Sequence, residues 1–361
     1  MASALRPTAQ LPGDHDVTGI RTMSTPIAPR CALVLETNNL RGGDAAHNAV
    51  LESLQRAVAA LAAQTVPLTA LAQLIVTHDG LSETACAALI GIAGRPVTFV
   101  RIAPTTGYYD AKNSGFAATD PALCDYVIFA DADCLPAADW LAELLLPFST
   151  QPQLAAVAGR TSYAATLVGT ALTTLDFMYF PSPLQPQATR NFYANNVVFR
   201  REIFAAHAYQ PLDGVYRAHC QVLGLHLQAC GIAVHYAPRA HTVHKLPDTR
   251  GEALQLRWWR GQDTLGLTPH LVKAYLPASL HWLARSGPVG PLCVLASRLW
   301  FSARALNTQD LPPVRGLRRG AALALIAAFS AVDMLGSLAA GLGWRRRRAD
   351  AQAQALSYHH S

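Results

Sequence analysis

No two of the seven cysteines in this 361-residue chain stand in a Cys-x-x-Cys pair; they fall at 31, 86, 124, 134, 220, 230 and 293. An odd number in mostly apolar surroundings reads as reduced thiols in a cytosolic compartment. Lysine is scarce, with only Lys112, Lys245 and Lys273 among the 29 basic residues. The net charge of +6 is not spread along the chain: residues 284–361 hold ten arginines against Asp310, Asp333 and Asp350, while the first 283 residues hold 19 basic and 20 acidic side chains. A near-neutral main body without aromatic-basic interleaving gives no nucleic-acid groove. The first 29 residues lack an apolar run of signal-peptide length and mix Pro, Gly, Asp and Thr without periodicity, which predicts a flexible lead-in. Also missing are a Gly-x-Gly-x-x-Gly after the first apolar run and a Walker A sequence, so a dinucleotide fold and a P-loop are disfavoured.

What is present is apolar material, 51% of the residues, enough for one large domain with an extension. Cys31–Leu35, Leu74–Thr77, Val97–Ile102 and Tyr126–Ala130 read as short buried strands, most of them running into polar residues. Between them, Asn48–Gln64 spaces Leu51, Leu54, Val58 and Leu61 on one helical face, Ser82–Ile92 is helix-like, and Asn113–Thr119 opens a further helix. This alternation predicts an α/β fold with one doubly wound, mostly parallel sheet flanked by helices. Later come a helix over Leu167–Phe180, a Pro-rich loop, a short strand at Val197–Phe199, a helix over Tyr216–Gly231 and a last strand in "IAVHYAP". Gly320–Trp344 is 25 residues long with Asp333 as its only charge. That is long enough to cross a bilayer, and arginines flank it on both sides; a packed C-terminal helix is the alternative.

In "DYVIFADADCLP" the strand ends in two carboxylates one residue apart, Asp131 and Asp133. The C-terminal edge of a strand in an open α/β sheet is where ligands bind, and two acids there suit a divalent cation carrying phosphates. By itself the spacing is also that of a solvated turn.

The order of features resembles the inverting nucleotide-sugar glycosyltransferases of family 2, which have a GT-A fold. The resemblance covers residues 30–265, between the 1–29 lead-in and a helical, membrane-associated region at 266–348, with a flexible tail at 349–361. It implies that Glu36 and Asn38 touch the nucleotide, that Asp79 meets the base, and that Lys112 and Asn113 lie near the donor. It places Asp131 against ribose and metal, Asp133 on Mn²⁺ or Mg²⁺, and His244 as the residue completing the metal site. Asn195, Asn196 and Trp258 fall on the acceptor side. The implied reaction moves one sugar from a nucleotide-sugar donor to a hydroxyl acceptor, with a lipid-linked acceptor in view because of the apolar C-terminal segment. The enzyme is expected on the cytosolic face of a membrane, where nucleotide sugars are made.

The chain departs from the family at its general base. Where a Glu-Asp pair is usual, it has His219 and Cys220, with Asp213 on the preceding turn. An imidazole of ordinary pKa could take the acceptor proton, so His219 and Asp213 are the sequence-level catalytic candidates. Gln255, Arg257 and Trp258 resemble the Gln-x-x-Arg-Trp signature of processive synthases but stand one residue too close, so Arg257 turns away from the other two. Two other readings remain at this stage. One is a nucleotidyltransferase of the same fold, which would need a Gly-rich Arg-Lys loop after the first strand; the other is a non-catalytic sugar-nucleotide-binding membrane protein.

Overall fold

The computed structural model describes residues 30–37, 44–212, 215–307, 311 and 314–343. Its first half follows the sequence pattern closely. Strand β1 (Cys31–Glu36) is buried along its whole length and pairs in parallel with β2 (Gln73–His78) and β4 (Tyr126–Asp131), and β2 pairs in parallel with β3 (Thr98–Arg101). Helices α1 (Asp44–Ala62), α2 (Glu83–Ala93) and α3 (Tyr108–Ala117) make the crossovers that parallel neighbours require. Helix α2 starts where Ser82 accepts a hydrogen bond from the Ala85 N–H and stops at Gly94, whose φ of +63° only glycine adopts readily. Helix α3 begins five residues earlier than the sequence pattern suggested, which brings Tyr108 and Tyr109 into its first turn.

Beyond β4 the sheet is not parallel. Strand β8 (Asn196–Arg200) lies antiparallel to β4 and to β6 (Ala156–Tyr163), and β9 (Val234–His244) runs parallel to β6. Short strands β5 (Cys134–Pro136) and β7 (Ala188–Thr189) pair antiparallel with β9. The order is β3-β2-β1-β4-β8-β6-β9-β5, with β7 on β9. The expected mostly parallel, doubly wound sheet is therefore corrected to a mixed one. In the connection from β6 to β8 a helix over Leu167–Asp176 is followed by a loop holding Pro181, Pro183 and Pro186, and the chain enters beside β4 from the opposite end.

Two further differences shape the site. Pro136 ends a short strand, and α4 (Trp140–Thr150) begins four residues on. The last strand does not stop at Pro238 but continues to His244. Its register against β6 jumps from Gly159–Ala237 to Arg160–His241, a bulge that accommodates Pro238. A side chain at Gly159 would meet the Ala240 carbonyl at 2.3 Å, so the bulge requires glycine there.

Helices α5 (Leu167–Asp176), α8 (Arg250–Tyr275), α9 (Val289–Ala305) and α10 (Gly316–Gly341) pack together beside the sheet, with α6 (Arg201–Ala206) and α7 (His219–Ala229) on the sheet itself. Thr249 and Glu252 form a reciprocal capping box that starts α8. Helix α10 is long and apolar enough to cross a membrane by length and composition, yet 39% of its most apolar stretch is buried against the protein. Asp333, in its middle, receives Arg257 of α8, which also bonds Asp176 of α5; all three side chains are buried. The backbones touch here: a Cβ on Gly261 would meet the Asp333 carbonyl at 2.1 Å, and one on Gly336 would meet that of Trp258 at 2.2 Å.

Candidate active site

The C-terminal edges of β1 and β4 open into a cleft of about 1080 Å³ of empty space, mouth included. Glu36 and Asp131 stand on its floor because β1 and β4 pair in register Glu36 to Asp131. The Asp131 carboxylate is held on both sides: the buried Lys112 ammonium donates to Oδ1 at 2.5 Å, and the Tyr108 hydroxyl donates to Oδ2 at 2.6 Å. Lys112 also donates to the Ala130 carbonyl at 3.2 Å. Tyr108 and Lys112 are four residues apart on α3, so one helical face delivers both. Loss of water raises the Asp131 pKa; Lys112 and the Tyr108 hydrogen bond oppose the rise, and the neighbouring Asp133 adds to it.

Asp133 has a different neighbour. Pairing of Cys134 with His244 across β5 and β9 brings His244 Nε2 to 3.4 Å from Asp133 Oδ2. His244 Nδ1 lies 2.8 Å from the Lys245 carbonyl, which can only accept, so Nδ1 carries a proton and Nε2 is the nitrogen turned to the carboxylate. A carboxylate oxygen and an imidazole nitrogen at that separation are placed to share a cation. Carboxylate and imidazole suit Mn²⁺ or Mg²⁺, so the residues fit such an ion. The Cys134 sulfur belongs to the same cluster, within 4.8 Å. Burial, with Asp133 and Asp131 nearby, pushes its thiol well above the usual cysteine range, and it donates to Asp133 Oδ1 at 3.6 Å.

The other sequence candidates fall in several places. Asn195 lines the cleft, with its Oδ1 accepting from Thr161 at 2.9 Å. Asn196 is wholly buried, accepting from the Trp140 indole and donating to the Arg160 and Ala240 carbonyls, so it joins strands and does not face the cleft. Asn113 donates to the Tyr209 carbonyl at 2.8 Å. Asp79 sits in the turn after β2, and neither it nor Trp258 lines the cleft. His219 stacks on Tyr109 with ring centroids 4.3 Å apart and is likewise absent from the lining; burial lowers its pKa to about 4. Asn38 and Asp213 lie outside the described residues.

Sequence reasoning overlooked Tyr108, Tyr109, Tyr193, Arg217 and Lys245, which all line the cleft. A signal existed for the first, since Tyr108 stands one helical turn before the singled-out Lys112. Ala218, the residue before α7, takes a left-handed φ of +68° without being glycine, a strained turn beside Arg217 and Cys220 in the cleft wall.

A family model described as glycosyl transferase family 2 matches residues 45–207, from α1 through α6, and this span contains Asp131 and Asp133. This segment is a family 2 glycosyltransferase domain. The fold of the chain also resembles that of a mannosyltransferase from Pyrobaculum calidifontis in complex with GDP-Man and Mn²⁺, at 19% identity and TM-score 0.53, over 87% of this chain and 91% of that one. Looser likenesses are to GalNAc-T7 with UDP, GalNAc and Mn²⁺ (17% identity, TM-score 0.45, 61% and 44% covered) and to S. aureus TarS 1-349 with UDP (10%, 0.44, 88% and 91%). No curated protein sequence matches the chain. The first likeness speaks for the fold alone, and the other two carry no argument.

Proposed function

We propose that the protein transfers a single sugar, with inversion, from a nucleotide-sugar donor to a hydroxyl acceptor, with Mn²⁺ or Mg²⁺ as cofactor. The observation that carries this reading is the Asp133–His244 pair, 3.4 Å apart, beside the Lys112-held Asp131 on the sheet edge of a family 2 segment. A cation bound there would neutralise charge developing on a departing nucleoside diphosphate. Asp131, fixed by Lys112 and Tyr108, presents a preorganised carboxylate to a ribose hydroxyl, and Glu36 offers another from the end of β1. Arg217 and Lys245 supply positive charge on the cleft wall for phosphate oxygens. The mannosyltransferase that shares the fold was solved with GDP-Man and Mn²⁺, the same classes of donor and metal as those proposed here.

The test is a thermal-shift screen of nucleotide sugars with and without Mn²⁺. A matching donor at 100 times its Kd should stabilise the protein by about 2.7 kcal/mol. Asp133→Ala should lose the Mn²⁺-dependent part of that shift and metal-stimulated turnover. Unchanged turnover in excess chelator would sink the reading.

We further propose that the acceptor is lipid-linked or hydrophobic and that α10 holds the enzyme on the cytosolic face of a membrane, lying in the interface rather than across it. Support comes from its outward face, where Ala321, Ala324, Ala328, Ala331, Leu335 and Leu338 are exposed. Trp282 and Trp300 are exposed in the neighbouring helical segments, and Arg315 and Arg318 at the start of α10 suit anionic headgroups.

A further inference from the structure

The family carries its proton acceptor at the start of α7, where this chain has His219 and Cys220. Neither residue offers a good base. His219 is stacked on Tyr109 and lines neither the cleft nor the chamber beside it, and the Cys220 thiol, although it lines both, is pushed up by burial and stays protonated. That adjoining chamber, itself open to solvent, holds about 690 Å³ of empty space, mouth included. The two share Tyr109, Tyr193, Arg217, Cys220 and Arg260 as walls. Into the chamber's lining α8 contributes Asp263, seven residues beyond Leu256, which lines the outer cleft from the same helix.

We propose that Asp263 is the catalytic base of the glycosyl transfer, supplied from α8 in place of the carboxylate that the family places on α7. The inference rests on the transferase reading above. In the step, the acceptor hydroxyl oxygen forms its bond to the anomeric carbon of the donor as the bond from that carbon to the phosphate oxygen breaks. The nucleoside diphosphate leaves with the electron pair, and the hydroxyl proton passes to the Asp263 carboxylate, which returns it to solvent after product departs. The other carboxylates nearby are committed elsewhere. Asp176, the second acid in the chamber, is bonded by Arg257 and contacted by Arg260; Asp131 is held by Lys112; Asp133 faces His244; Asp248 is paired with Lys245 at 2.8 Å; Glu252 caps α8. Glu36 stands on the floor beside Asp131, the donor side of the cleft.

The electrostatics agree with the geometry. Loss of water raises the Asp263 carboxyl to about 6, with Arg217, the Tyr216 backbone and Arg260 pulling the other way. Arg298 of α9 and Tyr275 of α8 also line the chamber, as do Tyr109 of α3, Tyr193 of the loop before β8, and Cys220 of α7. A carboxylate of that pKa is ionised at pH 7 and more basic than an ordinary aspartate, which is what proton abstraction near neutrality needs. The rate should therefore rise with pH through about 6 and level off above it, whereas a limb set by His219 would lie near 4.

The deciding experiment uses the full chain with Mn²⁺, a nucleotide-sugar panel and a panel of hydroxyl acceptors including water, following nucleotide release. Asp263→Asn is expected to bind donor within about twofold of wild type by calorimetry, to lose 100-fold or more in kcat, within the range general bases contribute (about 10²–10⁴), and to lose the limb near pH 6. Asp263→Glu should restore part of kcat with a displaced limb, a rescue that a merely structural role would not give. Wild-type kcat in Asp263→Asn, or a limb that persists there and disappears in His219→Ala or Glu36→Gln, overturns the proposal while leaving the transferase reading standing. A wild-type protein that binds donor without turnover overturns it too. If wild type binds no nucleotide sugar at all, the transferase reading falls and takes this inference with it.

Discussion

Lys112 contributes its charge to the interior and not to the substrate. Its side chain has no exposure, and its ammonium is bonded to Asp131 and to the Ala130 carbonyl. Removing one partner of such a pair leaves an uncompensated buried charge, which costs about 3–5 kcal/mol. Lys112→Met should lose that much stability in chemical denaturation at pH 7. Asp131 already has a raised pKa in the folded protein, and loss of Lys112 raises it further. The folded variant then binds a proton more readily than the unfolded chain, so its deficit should shrink as pH falls from neutrality toward the ordinary carboxylate range. A deficit that stays constant with pH would show that Lys112 acts only by packing. Asp133 and His244, 3.4 Å apart, are the proposed metal ligands, and on that reading their contribution should appear only when a cation is supplied.

At the scale of elements, the sharpest case is the contact of α8 with α10. An apolar helix containing one aspartate is costly in a bilayer and ordinary in a protein if the aspartate is paired. Here Arg257 donates through Nε and Nη2 to both oxygens of Asp333, and the glycines 261 and 336 let the two backbones touch. The sequence signature that placed Arg257 off the Gln255–Trp258 face was informative in an unexpected way, because the side chain that turned away became the bolt between α5, α8 and α10. Asp333→Asn should lower stability by about 3–5 kcal/mol. Combining it with Arg257→Met should cost less than the two single losses added together, since either substitution alone already breaks the pair, while Asp176 keeps Arg260. Additive losses would deny that the pair is a unit.

For the whole molecule, the outward face of α10 and the exposed tryptophans make one side apolar and the arginines beside it make it cationic. Flotation of the full protein with vesicles is the measurement. Binding is expected to vesicles rich in phosphatidylglycerol, to weaken on neutral ones, and to drop about tenfold or more in Leu335→Glu combined with Leu338→Glu, since binding scales with buried apolar area and anionic charge. Full recovery in the soluble fraction with anionic vesicles would remove both the membrane placement and the lipid-acceptor proposal.

Local pattern alone determined the first half of the fold. Strands β1, β2 and β4 carry apolar runs buried on both faces, with β3 at the half-exposed edge, and the carboxylates Asp131 and Asp133 stand at the end of β4 and just beyond it, so strand ends and site edge were legible within a few residues. Composition likewise located the basic excess and the long apolar helix. Tertiary structure decided what depends on partners far apart in the chain. The direction of β8 came from how a Pro-rich loop enters the sheet, a property of chain path and not of residue period. His244 reaches Asp133 only because β5 and β9 pair at Cys134 and His244, 110 positions apart, across a bulge that Gly159 admits. Lys112 was expected at the donor and is held instead by Asp131, because α3 begins early enough to lay Tyr108 and Lys112 along one face. Asp263 attracted no notice in the sequence, where it is a single acid on a polar stretch of helix. Packing of α8 behind Cys220 gave it a chamber, and no local period encodes which element a helix will pack behind.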